Sequence, residues 1–172
     1  EQAIHDRLGE YIWGYDDETP QQAAGKSLLE KGLSVAVMEM CTGGALTNSI
    51  TDGPDSSSYF KGGNVAYDGA ALRAFGVPAD VMETHGVVSQ QTADAMADTV
   101  RRNLSADLGV AVTGVPGPGE FEGKPLGLAY ISVTNGEITR EMEMRLPPRR
   151  VTIKRRVPNQ ALIELRRLVE EI

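Results

Sequence analysis

The segment that most constrains how this chain can fold is Leu33–Gly44. An apolar run from Leu33 to Met38 reads as a buried strand. Glu39-Met40-Cys41-Thr42-Gly43-Gly44 follows as a short glycine-containing turn, and a helical pattern with Ala45, Leu46 and Ile50 on one stripe leads out of it. Strand, tight turn and helix are the parts from which α/β sheets are assembled. Such a turn aims backbone N–H groups and a helix N-terminus at one point, where an anion or a polarised oxygen sits well. Turns of this kind also lift a nucleophile clear of the sheet edge. The position to inspect for that role, just before Cys41, holds Met40, whose thioether cannot attack.

The remaining pattern extends the same architecture. Thr19-Pro20 starts a helix carrying Ala23, Ala24, Leu28 and Leu29, and Gly32 closes it. Gly62 to Tyr67 reads as a short strand ending at Tyr67, and Ser56 to Phe60 as loop. Short helices are expected over Ala70 to Phe75 and from Pro78 to Gly86. Ser89 caps what reads as the longest clear helix, with Ala93, Met96, Ala97, Val100 and Leu104 on one face. Leu108 to Val112 is a second buried strand. Leu126 to Val133 and Ile138 to Leu146 flank Asn135-Gly136, a strong hairpin signal. A final helix is expected from Asn159, kinked or started by Pro158. The sum is an α/β fold: a three-layer αβα sandwich with a mixed sheet, parallel in its first part and with an antiparallel hairpin near the end.

Composition narrows the function. At 172 residues the chain is one domain or one domain with an appendage. A net charge of −7 argues against a nucleic-acid partner and leaves room for a small phosphorylated ligand. One cysteine allows no internal disulfide, and His5 and His85 lie in no ligand-spaced cluster, so no metal or other cofactor is expected. A reducing cytoplasm is the simplest compartment. No apolar run approaches the roughly 20 residues of a membrane span, so no membrane partner is expected. The chain opens at Glu1 without a methionine and reads as a piece of a longer protein, with residues 1–18 a tail or linker and 19–172 the domain proper.

Two glycine-containing loops, Cys41 to Gly44 and Thr113 to Gly119, each follow a buried strand. Were those strands parallel neighbours, both loops would lie at the sheet edge where ligands bind in open α/β sheets. Thr42, Tyr67 and Thr113 would then converge as hydroxyls on one cavity, with Gly43, Gly44, Gly114, Gly117 and Gly119 offering backbone N–H groups, a phosphate or ribose pocket. The alternative is that these glycines only make tight turns. Cys41 reads either as a thiol nucleophile activated by a helix N-terminus or as a buried, inert side chain. The absence of a supporting histidine favours the second. Arg149-Arg150 with Lys154-Arg155-Arg156 reads as a basic patch on a solvated face or a subunit contact.

These residues carry a resemblance. Met38-Glu39-Met40-Cys41-Thr42-Gly43-Gly44 resembles the Ala-Glu-Ser-Cys-Thr-Gly-Gly signature of the CinA C-terminal domain family, which includes nicotinamide mononucleotide deamidases. Phe60-Lys61-Gly62-Gly63 to Tyr67, Gly76-Val77, His85 to Ser89, Ala111 to Gly119 and Lys124-Pro125-Leu126-Gly127 match further family segments in order. The resemblance implies hydrolysis of nicotinamide mononucleotide to nicotinic acid mononucleotide and ammonia, without a metal. It also implies an upstream molybdopterin-binding-like domain joined through residues 1–18, and a homo-oligomer. In the family the signature serine attacks, and a tyrosine and a lysine five residues after it activate that serine. The tyrosine falls on Tyr67, the serine on Met40 and the lysine on Leu72; Gly69 stands where an asparagine is usual. Glu39, Cys41, Thr42, Gly43 and Gly44, with Thr113, Gly114, Gly117 and Gly119, are then expected to hold the ligand. The expectation is a deamidase fold that has lost deamidation and kept a nucleotide-type pocket. Two alternatives stand beside it: an amidohydrolase using Cys41 or Thr42, and a purely structural or assembly domain.

Overall fold

Side-chain caps place three of the six α-helix starts among the described residues. The computed structural model describes residues 17–172. Thr19 and Gln22 form a reciprocal capping box at the start of α1 (Pro20–Lys31), which Gly32 closes in the left-handed conformation. Strand β1 (Val35–Glu39) leads to α2 (Ala45–Thr51), a single 3-10 turn over Ser56–Ser58 and β2 (Phe60–Val65). Asp68 caps α3 (Gly69–Ala74). Next come α4 (Ala79–His85), then α5 (Gln90–Asn103) under the Ser89 cap, β3 (Leu108–Gly114), β4 (Leu128–Thr134), β5 (Thr139–Arg145) and α6 (Arg150–Glu171).

The five strands form one sheet in the order β2-β1-β3-β4-β5. β1 runs parallel to both β2 and β3, while β4 and β5 complete the sheet antiparallel. Asn135 turns the last hairpin by accepting the Glu137 and Ile138 amides at 2.9 and 2.7 Å. Along β1 and β3 the side chains alternate between two apolar layers. Val35 and Val37 of β1, with Val110, Val112, Ile131 and Val133, meet Leu28, Leu46, Ile153, Leu162 and Leu165 from α1, α2 and α6. Ala36, Met38 and Ala111 meet Leu72, Met82, Met96 and Val100 from α3, α4 and α5. Gly109 lets α5 lie directly against β3: a Cβ there would stand 2.0 Å from the Ala97 carbonyl oxygen. The expected mixed, three-layer αβα sandwich is therefore the observed one.

Several boundaries differ from the sequence reading, β3 running on to Gly114 and the last helix starting at Arg150. β2 ends at Val65, so Tyr67 stands in the loop beyond it, although the Ala66 amide still bonds the Glu39 carbonyl at 2.9 Å. Phe60 belongs to β2 rather than to the loop before it. The longest helix is α6, 22 residues against 14 in α5, and Pro158 lies inside it. Ile153, Val157, Ala161, Leu165 and Leu168 form one buried stripe that crosses the proline, and burial of that stripe outweighs the local cost. The expected tail or linker over 1–18 lies outside the described residues except for its last two. Among the described residues no helix is long and apolar enough to cross a membrane.

Candidate functional site

The ends of the parallel strands place the site. Alternation along β1 sends Val35, Val37 and Glu39 toward α1, α2 and α6, and Ala36 and Met38 toward α3, α4 and α5. Glu39 thus meets the beginning of α2. Its fully buried carboxylate accepts the Leu46 and Thr47 amides at 3.0 and 2.9 Å, and the Thr42 and Thr47 hydroxyls at 2.6 Å each. A carboxylate in that position complements the α2 dipole. Two of the amides at the α2 N-terminus are thus occupied by the protein itself. Gly43 and Gly44 make the turn at φ of 60° and 95°, where a side chain would be strained.

The two glycine loops do lie at one sheet edge, but their hydroxyls do not converge. Thr42 is fully buried and spends its hydroxyl on Glu39. Thr113 is also fully buried and donates to the Val87 carbonyl at 3.0 Å, with its Oγ1 3.5 Å from the Met40 sulfur. Of the three, Tyr67 alone reaches the cavity, which has a volume of about 260 Å³. Its other walls come from Met40, Gly114 to Gly119, Glu120, Phe121 and Arg150. Arg150 donates to the Tyr67 hydroxyl and, at 3.2 Å, to the Gly117 carbonyl, joining the loops that follow β2 and β3. The loop beyond Gly119 is pinned to the α4–α5 junction: Glu122 accepts the Val87 and Val88 amides at 3.0 and 3.1 Å, and Lys124 donates to the His85 and Val88 carbonyls.

The remaining sequence-derived positions fall as follows. Cys41 lines the cavity, yet its side chain belongs to the apolar layer beneath α1, α2 and α6. Burial first, and the Glu39 charge with it, pushes its thiol up to about 12, against the opposing pull of a backbone hydrogen bond. Leu72 is fully buried among the α3, α4 and α5 side chains, and Met40 packs against that same cluster. Gly114, Gly117 and Gly119 line the cavity; Gly43 and Gly44 shape the turn beside it. Sequence reasoning missed Glu120, Phe121 and Arg150 as site residues. Arg150 carried a signal within the basic run, but nothing local tied that run to β1. None of Arg149, Arg150, Lys154, Arg155 and Arg156 forms an ion pair among the described residues. No group of three or more His, Cys, Asp or Glu side chains among them is placed to hold a metal.

An apolar wall, a guanidinium and phenol at the mouth, and one carboxylate, Glu120, suit a ring, an anion and a sugar hydroxyl.

Comparison with known proteins follows the same lines. The profile of the CinA C-terminal domain matches residues 17–169. A putative competence-damage inducible protein of Desulforudis audaxviator is 43% identical over 157 residues, covering 90% of this chain and 38% of that protein. Its counterpart in Desulforamulus reducens is 44% identical over 160 residues, covering 92% and 39%. The chain thus spans about two fifths of the length of these relatives. Among solved structures, a competence/damage inducible protein, CihA, of Agrobacterium tumefaciens superposes with a TM-score of 0.79 at 29% identity, covering 91% of this chain and 99% of that one. A CinA superfamily protein of Klebsiella pneumoniae superposes at 0.84 with 22% identity, covering 89% and 97%, a likeness of fold.

Proposed function

Because this chain belongs to the CinA C-terminal domain family, we propose that it is a deamidase-type domain that binds a pyridine nucleotide without hydrolysing its amide. The observation that carries the reading is the state of positions 40 and 72. The resemblance assigns them to the nucleophile and its base; here Met40 and Leu72 belong to one apolar cluster. Nucleophile and base act as a unit, so loss of both removes the step rather than slowing it.

The two substitute nucleophiles are poorly placed. Burial pushes the Cys41 thiol up to about 12 and so keeps it protonated, and no side-chain hydrogen bond joins it to a base among the described residues. The Thr42 hydroxyl is committed to Glu39 and lies away from the cavity. Binding keeps its support: Tyr67 and Arg150 stand at the mouth, and Arg150 has no carboxylate partner among the described residues. An upstream domain, joined through residues 1–18, and assembly into a homo-oligomer belong to the same proposal, as does a cytoplasmic location. The length of the relatives supports the first.

The test is ammonia release from nicotinamide mononucleotide, paired with calorimetric titration of the same nucleotide. The expected result is binding without turnover. Turnover at an ordinary enzyme rate, roughly 1–10³ per second, overturns the reading; if Cys41→Ala then abolished it, the thiol would be the nucleophile. Absence of binding would leave only a structural domain.

A further inference from the structure

We propose that the ligand of this site is a nucleoside diphosphate with a second moiety, a dinucleotide rather than a mononucleotide, whose far half lies in the trough between α2 and α6. The inference rests on the binding reading above and extends it along the surface. The cavity at the strand ends, about 260 Å³, is slightly smaller than the roughly 300–1,000 Å³ typical of small-molecule sites. Beside it lies an open trough of about 470 Å³, lined by Ala45, Asn48 and Ser49 of α2 and by Val151, Lys154 and Pro158 of α6. Taken together, the two hollows fall inside that range.

What separates them is small. Cys41 lines the first and Ala45 the second, so the intervening wall is the Thr42-Gly43-Gly44 turn. Gly43 carries no side chain into the gap. A Cβ there would stand 3.8 Å from both the Lys154 ammonium and the Tyr67 ring, so those two groups flank the passage. A ligand could therefore run from Tyr67 past Gly43 to Lys154 without meeting a side chain at position 43.

The charges fit a diphosphate. Arg150 lines the first hollow and Lys154 the second, four residues apart on one helix and so on the same face. Neither forms an ion pair among the described residues, although the chain carries 24 acidic residues. Two unneutralised cations one turn apart, with a hollow on either side, suit two linked phosphates carrying a group at each end. A mononucleotide would engage Arg150 and leave Lys154 and the trough unused. Beyond the cations, the trough offers the exposed Val151 side chain as apolar surface for a base, and Asn48 as a polar edge.

The experiment is calorimetric titration of the chain with nicotinamide mononucleotide and with nicotinamide adenine dinucleotide, repeated on Lys154→Ala and on Asn48→Trp. The second variant fills the trough from an exposed position. Circular dichroism melts confirm that each variant is folded. The expected result is at least tenfold tighter binding of the dinucleotide by the unaltered chain, with the ratio falling toward one in both variants. A dinucleotide that binds no more tightly than the mononucleotide overturns the proposal and leaves the single-cavity reading intact. A preference that survives both substitutions overturns the assignment to the trough. If neither nucleotide binds, the binding reading itself fails, and this proposal with it.

Discussion

Burying a carboxylate is costly unless its oxygens accept hydrogen bonds, and those of Glu39 accept four. Glu39 is therefore the residue that holds the glycine turn and α2 in register with β1. Glu39→Ala would leave the Leu46 and Thr47 amides and the Thr42 hydroxyl short of a partner. We expect a loss of about 3 kcal/mol or more in urea unfolding; a loss below about 1 kcal/mol would show that the turn is held by other means. Two residues along, Cys41 is controlled by burial. With its thiol pushed up to about 12 by burial, the native protein should resist a thiol reagent at pH 8 and react only when unfolded. Labelling of the folded chain within minutes would place the thiol in the solvent-facing part of the cavity and revive it as a nucleophile.

At the scale of elements, α6 departs furthest from what its sequence suggests. Proline inside a helix forfeits one hydrogen bond and costs about 3 kcal/mol relative to alanine. Pro158 is buried, so its ring also contributes packing. Pro158→Ala should thus raise stability by about 1 kcal/mol net, read as a higher midpoint of thermal unfolding; a lower midpoint would mean that ring packing outweighs helix propensity. The start of α6 carries a second local cost. Arg149 and Arg150 occupy its cap and first position, where cations oppose the helix dipole by about 0.3–1 kcal/mol each. A bound anion would offset that cost, which accords with the proposed ligand. The sequence signals for α6 misled for a physical reason: a proline is a local signal, whereas the stripe of Ile153, Val157 and Ala161 acts only once the sheet is there to receive it.

For the molecule as a whole, the apolar runs at β1 and β3 and the Asn135-Gly136 turn were enough to read a mixed sheet with helices on both faces. The two glycine loops were expected at one edge only if β1 and β3 were parallel neighbours, and they are. Side-chain direction was harder. Thr113 and Met40 face the α3, α4 and α5 layer, and Thr113 is covered there by the chain around Val87, a contact between residues 26 apart in sequence. Thr42 is claimed by Glu39 through a bond that exists only once α2 has formed. Arg150 enters the cavity from a helix 83 residues beyond Tyr67, and no local pattern announces a contact of that range. The resemblance points to positions 40 and 72, whose side chains pack in one apolar cluster.

We propose that deamidation is lost because those two positions are Met40 and Leu72, on a frame that still binds. Ammonia release from nicotinamide mononucleotide by Met40→Ser, by Leu72→Lys and by the double variant tests it most directly. A serine hydroxyl needs a neighbouring base, and a lysine becomes that base when desolvation lowers its pKa, as full burial at position 72 would ensure. The new lysine should cost several kcal/mol of stability, so each variant is first shown to be folded. Little release is expected from either single variant and measurable release from the double variant, short of full recovery because Gly69 lacks the usual asparagine. A folded double variant no more active than the single ones would contradict it, as would turnover by the unaltered chain.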